Sequence, residues 1–177
     1  MEKDPVESPP ETNSKSPQEE MEDLTYFHVS LTKLVVMGIL TAGIYELYWH
    51  YRNWSHLRFR DRRNIKPVWR AVFSLIFAYS LFSQIKSDAI SKRLEVDWSA
   101  LLLFTLYLIL GLFSFAPLPF GAISLLGVLP TVLAQKTINQ ILESEKKYTP
   151  NTEFSQFNIL WIGFGLFIMS IGFLGVQ

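Results

Sequence analysis

An almost wholly polar start is followed by five apolar stretches with polar connections between them, at roughly 31–51, 68–85, 98–118, 120–134 and 157–176. A helix needs about 20 apolar residues to cross the ~30 Å hydrocarbon core of a bilayer. Two of the stretches, WSALLLFTLYLILGLFSFAPL and FNILWIGFGLFIMSIGFLGV, contain no charged residue. The pattern predicts an all-α integral membrane protein, a bundle of four to five hydrophobic helices over residues 26–177.

The punctuation inside these stretches sets their expected limits. Ser30 or Thr32 caps the first, since a hydroxyl there accepts from an otherwise unpaired N–H of the first turn. Gly38 and Ala42 lie four apart, a spacing that lets another helix approach closely, and Gly43 marks a bend. Tyr45, Tyr48, Trp49, Tyr51 and Trp54 crowd the end of that segment. Rings of this kind favour the headgroup level. Segment two contains Ser74, Tyr79, Ser80, Ser83 and Gln84; it spans as a thin helix, lies in the interface, or enters and returns. The connection 86–97 is polar and helix-compatible. Pro117, Pro119 and Gly121 turn the chain into segment four, where Leu133, Ile138, Ile141 and Leu142 fit one apolar helix face. Ser155 caps the last segment.

Composition narrows the picture. The chain of 177 residues is long enough for one membrane unit and no second folded domain, and only 18% of it is charged, below the roughly 25% of an average soluble protein. Without cysteine it has no disulfide framework, thiolate metal site or cysteine nucleophile. The formal charge of zero conceals a separation. Residues 1–25 hold eight acids against two bases, for −6, and residues 52–70 hold seven bases against one acid, for +6. The acidic tail 1–25, with Pro5, Pro9, Pro10 and Pro17 and little that is apolar, is expected to be disordered. It lacks the basic start and short apolar core of a cleavable signal.

Lys and Arg concentrate in cytoplasmic loops, which places 52–70 inside. If segment one spans, the tail is outside. If segment two also spans, loops 86–97 and 136–153 are outside. If it stays on the inner side, both are inside and thirteen of the sixteen bases face the cytoplasm; the charge bias favours this arrangement. A third topology bends segment one back at Gly38–Gly43 and brings the tail to the side of the basic loop.

Thr41, Gly43, Ile44, Tyr45, Tyr48 and Trp49, followed by Tyr51, Arg52, Asn53 and Trp54, form a T-x-G-I-Y-x-x-Y-W pattern with a basic, aromatic continuation. In this the chain resembles a family of small bacterial multi-pass membrane proteins, a domain of unknown function. The likeness continues weakly through PVWRAVFSLIFAYSLF, LPTVLAQKTIN and PNTEFSQFNI. It implies a location in the bacterial cytoplasmic membrane and carries over no activity or catalytic residue.

Glu46 is the one acid inside an apolar segment, and with His50 it makes an i, i+4 pair. Ionisable groups within membranes are costly and mark functional positions. The plainer reading keeps Glu46 near headgroup water or paired with the basic loop. Arg58, Arg60, Arg62, Arg63 and Lys66 form a basic stretch that fits anionic lipid headgroups or a protein partner, against the simpler role of a topology signal. Gln135, Asn139 and Glu143 share a face that lines a polar path, bonds across helices or faces water. Asn53-Trp54-Ser55 matches a glycosylation acceptor by chance. His28, His50 and His56 lack metal-ligand spacing. No phosphate-binding loop, cofactor motif or nucleic-acid module is visible.

The expectation is a non-enzymatic interaction or structural protein of the membrane. Its expected partners are the lipid bilayer, and either a second copy of itself or another membrane protein. The alternative is a small oligomeric transporter or channel with Glu46 in its pore.

Overall fold

The computed structural model describes residues 24–117, 120–148 and 151–174. The acidic tail up to Asp23, and with it most of the expectation of disorder, lies outside the described residues. Among the described residues the fold is all-α, with seven α-helices: α1 Leu31–Leu40, α2 Ile44–Arg60, α3 Pro67–Val72, α4 Ser74–Ser91, α5 Ala100–Leu112, α6 Val128–Ser144 and α7 Gln156–Leu174. Two 3-10 turns, Phe113–Phe115 and Phe120–Gly127, join α5 to α6.

Segment one is not one helix. Ser30 caps α1 as expected, its hydroxyl accepting from Lys33 N at 3.2 Å. Four residues after Gly38 the chain turns through Ala42 (φ 51°) and Gly43 (φ 84°), and α2 runs back. Two successive left-handed residues end a right-handed helix. Leu24 therefore enters beside His56, at the end of α2 that carries the basic residues. The turn replaces the straight helix expected over 31–51, and the side on which the tail lies falls outside the described residues. Gly38 packs on Val128 of α6, whereas Ala42 sits in the turn and takes no part in a small-residue face.

Segment two likewise divides into two helices, with a reversal between them. Pro67 opens α3, where its missing N–H costs nothing. Phe73 (ψ 39°) breaks the helix, and α4 carries the chain back until Gln84 and Asp88 meet Arg63 and Arg60. The polar stretch expected as a connection from 86 continues α4 to Ser91. Antiparallel to α4, α5 sets Trp98 O on Lys86 Nζ at 2.7 Å and the Tyr107 hydroxyl on Ser74 at 3.2 Å. Antiparallel again, α6 buries Ile138, Ile141 and Leu142 but leaves Leu133 exposed. Ser155 accepts from Asn158 N at 3.3 Å and starts α7.

Helices thus alternate between two ends. Connections 61–66 and 92–99, and the described parts 145–148 and 151–155 of the next, lie at one end, and with them the charged residues of the loops. At the other end the chain turns through Thr41–Gly43, Phe73 and the 3-10 turns, none of which holds a charge. Trp49, Trp54, Phe82, Ile85 and Ile138 fill the core between them. Outside that core, α3 to α5 expose Val72, Ile76, Leu102 and Ile109. The uncharged α7 exposes Phe157 at 75% and Leu160 at 67%. Its contacts are with α1, where Gly165 lies directly on the backbone of Leu40 and Thr41. Among the described residues one continuous helical stretch, Phe120–Ser144, is long and apolar enough to cross a membrane. The helices Leu31–Leu40 and Ala100–Phe115 are apolar but shorter.

Candidate functional site

The charged end is an ordered surface. Arg60 pairs with Asp61 and Asp88, both at 2.5 Å, and Arg63 pairs with Asp61 at 2.8 Å. Asp88 also accepts from the Tyr26 hydroxyl at 2.5 Å and from Gln84 at 2.9 Å. Glu145 accepts from Thr25 at 2.6 Å and pairs with Lys92 at 2.8 Å. These bonds join the incoming chain to α2, α4 and α6. Bonding from Arg60 holds the Asp61 carboxyl below the usual carboxylate range, against a smaller opposing effect of burial. Burial pushes Glu145 up, but bonds from Lys92 and Thr25 outweigh it, and its carboxyl also lies low. Of the five predicted basic residues, Arg60 and Arg63 are thus engaged within the protein. Arg58, Arg62 and Lys66 are exposed and carry no ion pair among the described residues.

Glu46 and His50 occupy the interior nearer the apolar end. Glu46 is 8% exposed, its carboxylate facing Gly38 and Gly127. It forms no ion pair with the basic loop among the described residues, because the turn at Gly43 starts α2 at the end opposite the charges. His50 is fully buried against the rings of Trp49, Phe82 and Tyr107. Neither of its ring nitrogens has a hydrogen-bond partner among the described residues. The two side chains share a buried face but form no bond with each other.

Gln135 and Asn139 face inward, not water. Gln135 donates to Phe27 O at 3.1 Å and to Asn139 Oδ1 at 2.7 Å, and Asn139 donates to Val29 O at 3.2 Å. Asn53 accepts from Phe27 N at 3.2 Å. Residues 26–29 are buried outside any helix or strand, so side-chain amides take the backbone groups that would otherwise be orphaned. Glu143 stays exposed. Asn53 is fully buried, which removes it as a glycosylation acceptor.

A cleft of about 870 Å³ opens between α2 and α3 on one side and the start of α7 on the other. Sequence reasoning missed it. Tyr45, Tyr48 and Arg52 line it at i, i+3 and i+7 of α2, and that spacing, seen beforehand only as an interfacial belt, was the available signal. Lys33 reaches its polar end, where Nζ donates to Asn151 Oδ1 at 2.7 Å and to Glu153 O at 2.5 Å. The Arg52 guanidinium lies 5.0 Å from the Phe27 ring centre and 6.0 Å from that of Tyr48. Val72 and Trp161 line the other end. Among the described residues no group of three His, Asp or Glu side chains is placed to hold a metal.

Comparison with known proteins finds no matching family model and no significant match to a curated protein or a solved structure.

Proposed function

We propose that the protein is a non-enzymatic membrane protein that inserts from one face and works as an interaction or structural element through its charged end. The observation that carries this reading is the segregation of charge: polar connections at one end, uncharged turns at the other, and exposed apolar side chains around the body between them. Contiguous exposed apolar surface marks interaction or membrane surfaces, and in lipid such side chains are solvated. A bacterial cytoplasmic membrane is proposed from the resemblance at Thr41–Trp49 alone, and the charged end is proposed to face inside because Lys and Arg concentrate in cytoplasmic loops.

Cysteine accessibility tests the topology in a chain with no native cysteine. Asn64→Cys, Ser91→Cys and Lys147→Cys are each treated in intact cells with a membrane-impermeant thiol reagent, with permeabilised cells as control. Protection of all three in intact cells and labelling after permeabilisation is expected. Labelling of Ser91→Cys or Lys147→Cys alone in intact cells means that α4 does not return, and the proposal fails.

Glu46 favours a second reading, a small oligomeric transporter or channel, because a buried carboxyl in an apolar body is a common feature of proton and ion paths. Potential-dependent flux in proteoliposomes that disappears with Glu46→Gln would select it over the first.

A further inference from the structure

We propose that the acidic segment 1–23 docks, within the same chain, on the exposed cations at the end of α2 and in the connection after it, Arg58, Arg62 and Lys66. The contact goes beyond the reading above and does not depend on what surrounds the helices. Its meaning as a mask over the charged end rests on that reading.

Charge locates the surface. Residues 24–177 carry fourteen bases and eight acids, and residues 1–23 carry two bases and eight acids. The two excesses, +6 and −6, are equal and opposite. The positive one is unevenly placed. Residues 92–97 hold two bases and two acids, and so do residues 143–147. Residues 58–66 hold five bases and one acid. Asp61 and Asp88 engage Arg60 and Arg63. Three exposed cations are left, Arg58, Arg62 and Lys66, without an ion pair among the described residues.

The fold delivers the acids to that surface. Leu24 O lies 3.1 Å from His56 Nδ1, Thr25 bonds Glu145, and the Tyr26 hydroxyl bonds Asp88. The segment before Leu24 therefore starts at the charged end. Glu19, Glu20, Glu22 and Asp23 are four of the last five residues before Leu24. Arg58 follows His56 by two positions, on the other side of α2, and a helix with its side chains is about 10–12 Å across. Five residues reach up to ~17 Å, enough to carry Glu19 and Glu20 over the end of α2.

Tethering makes weak pairs sufficient. An exposed ion pair contributes little by itself and is screened by salt. Acids fixed a few residues from their anchor act at an effective concentration of about millimolar, and several pairs form together. A separate acidic partner meets the same surface without that advantage.

The test uses the full chain in mild detergent. A carbodiimide joins carboxylates to lysine amines in direct contact, and peptide mass spectrometry reads the products. Lys66 is expected to link to residues 19–23. The yield should fall several-fold in the double variant Arg58→Gln, Arg62→Gln, with no loss at Lys147, whose own stretch is balanced. It should also fall in about 0.5 M salt. Spin labels at Ser16→Cys and Asn64→Cys report the contact without lysine chemistry, and their distance should lengthen in the double variant. Elution at the wild-type position on size exclusion shows that the variant is folded. No link at Lys66, or a yield that the double variant leaves unchanged, overturns the proposal. Mixing isotopically heavy and light chains identifies the donor: links within one isotope support the proposal, and mixed links assign the surface to a second copy and overturn it. Phosphatidylglycerol retained through Arg58 and Arg62, with no link to the tail, assigns the surface to lipid and overturns it as well. Release of the chain from source membranes by carbonate sinks the membrane reading and leaves the contact standing.

Discussion

Trp49 and Gln135 are joined across the core: the indole N–H of α2 donates to Gln135 Oε1 of α6 at 2.5 Å. The same amide donates on to Phe27 O and Asn139. One side chain therefore ties two helices to the non-helical segment that precedes α1. Gln135→Leu leaves the Trp49 N–H and Phe27 O unpaired in the interior. At roughly 1–3 kcal/mol for each orphaned group, the expected loss of stability is about 2–6 kcal/mol. Denaturant unfolding in detergent checks it, and a loss well under 1 kcal/mol contradicts the assigned role.

The charged end should loosen in acid. Asp61 and Glu145 have carboxyl groups held below their ordinary range by their cationic and hydroxyl partners. A carboxyl depressed in the folded state stabilises it above the unfolded pKa, and that stability is lost as pH falls through the folded value. Melting temperature is expected to stay level between roughly pH 7 and 5 and to fall below about pH 4. The double variant Asp61→Asn, Glu145→Gln should show a flatter acid limb. An identical limb in wild type and variant would place the acid sensitivity elsewhere.

The turn between α1 and α2 depends on Gly43. At φ 84° a side chain is strained, and Gly43→Ala is expected to cost about 1–2 kcal/mol. Nothing lies within 4 Å of a Cβ built there, so the cost is one of backbone conformation and not of crowding. A melting temperature equal to the wild type's would mean that the turn is not formed as described.

Two glycines of α7 should answer the same substitution in opposite ways. Gly163 has open space around it, whereas a Cβ at Gly165 meets the backbone of Leu40 and Thr41. Gly163→Ala is expected to stabilise the helix by about 0.5–1 kcal/mol. Gly165→Ala should push α7 from α1, read as a longer distance between spin labels placed at Leu31 and Asn158. Equal behaviour of the two variants would deny the close approach.

Local signals in the sequence carried the parts of this fold that depend on neighbouring residues. Ser30 and Ser155 announce their helix starts by hydroxyl chemistry, and Ile138, Ile141 and Leu142 mark a buried face by spacing alone. Gly43 signalled a bend, but its sharpness depends on Ala42 also turning left-handed, which alanine does not advertise. Phe73 gives no warning at all, since neither glycine nor proline accompanies the break. The inward roles of Asn53, Gln135 and Asn139 were hidden because their partners are backbone atoms of Phe27 and Val29, and a backbone carbonyl has no letter in a sequence. The cleft was illegible for a related reason: Lys33, Arg52, Val72 and Trp161 come from four separate helices and meet only in the fold.

The uncharged turns at Thr41–Gly43, Phe73 and Phe120–Gly127 bear on how such a chain reaches its site. Carrying a charged loop through hydrocarbon is costly, and multi-pass proteins depend on a translocation machine to do it. With the proposed insertion, what must pass into the bilayer at each hairpin is a tip of small and aromatic residues, while the arginines between α2 and α3 and the acids beside α4 and α6 stay in the water where they were made. Biogenesis of this protein would then be a matter of sinking three capped wedges from a single compartment.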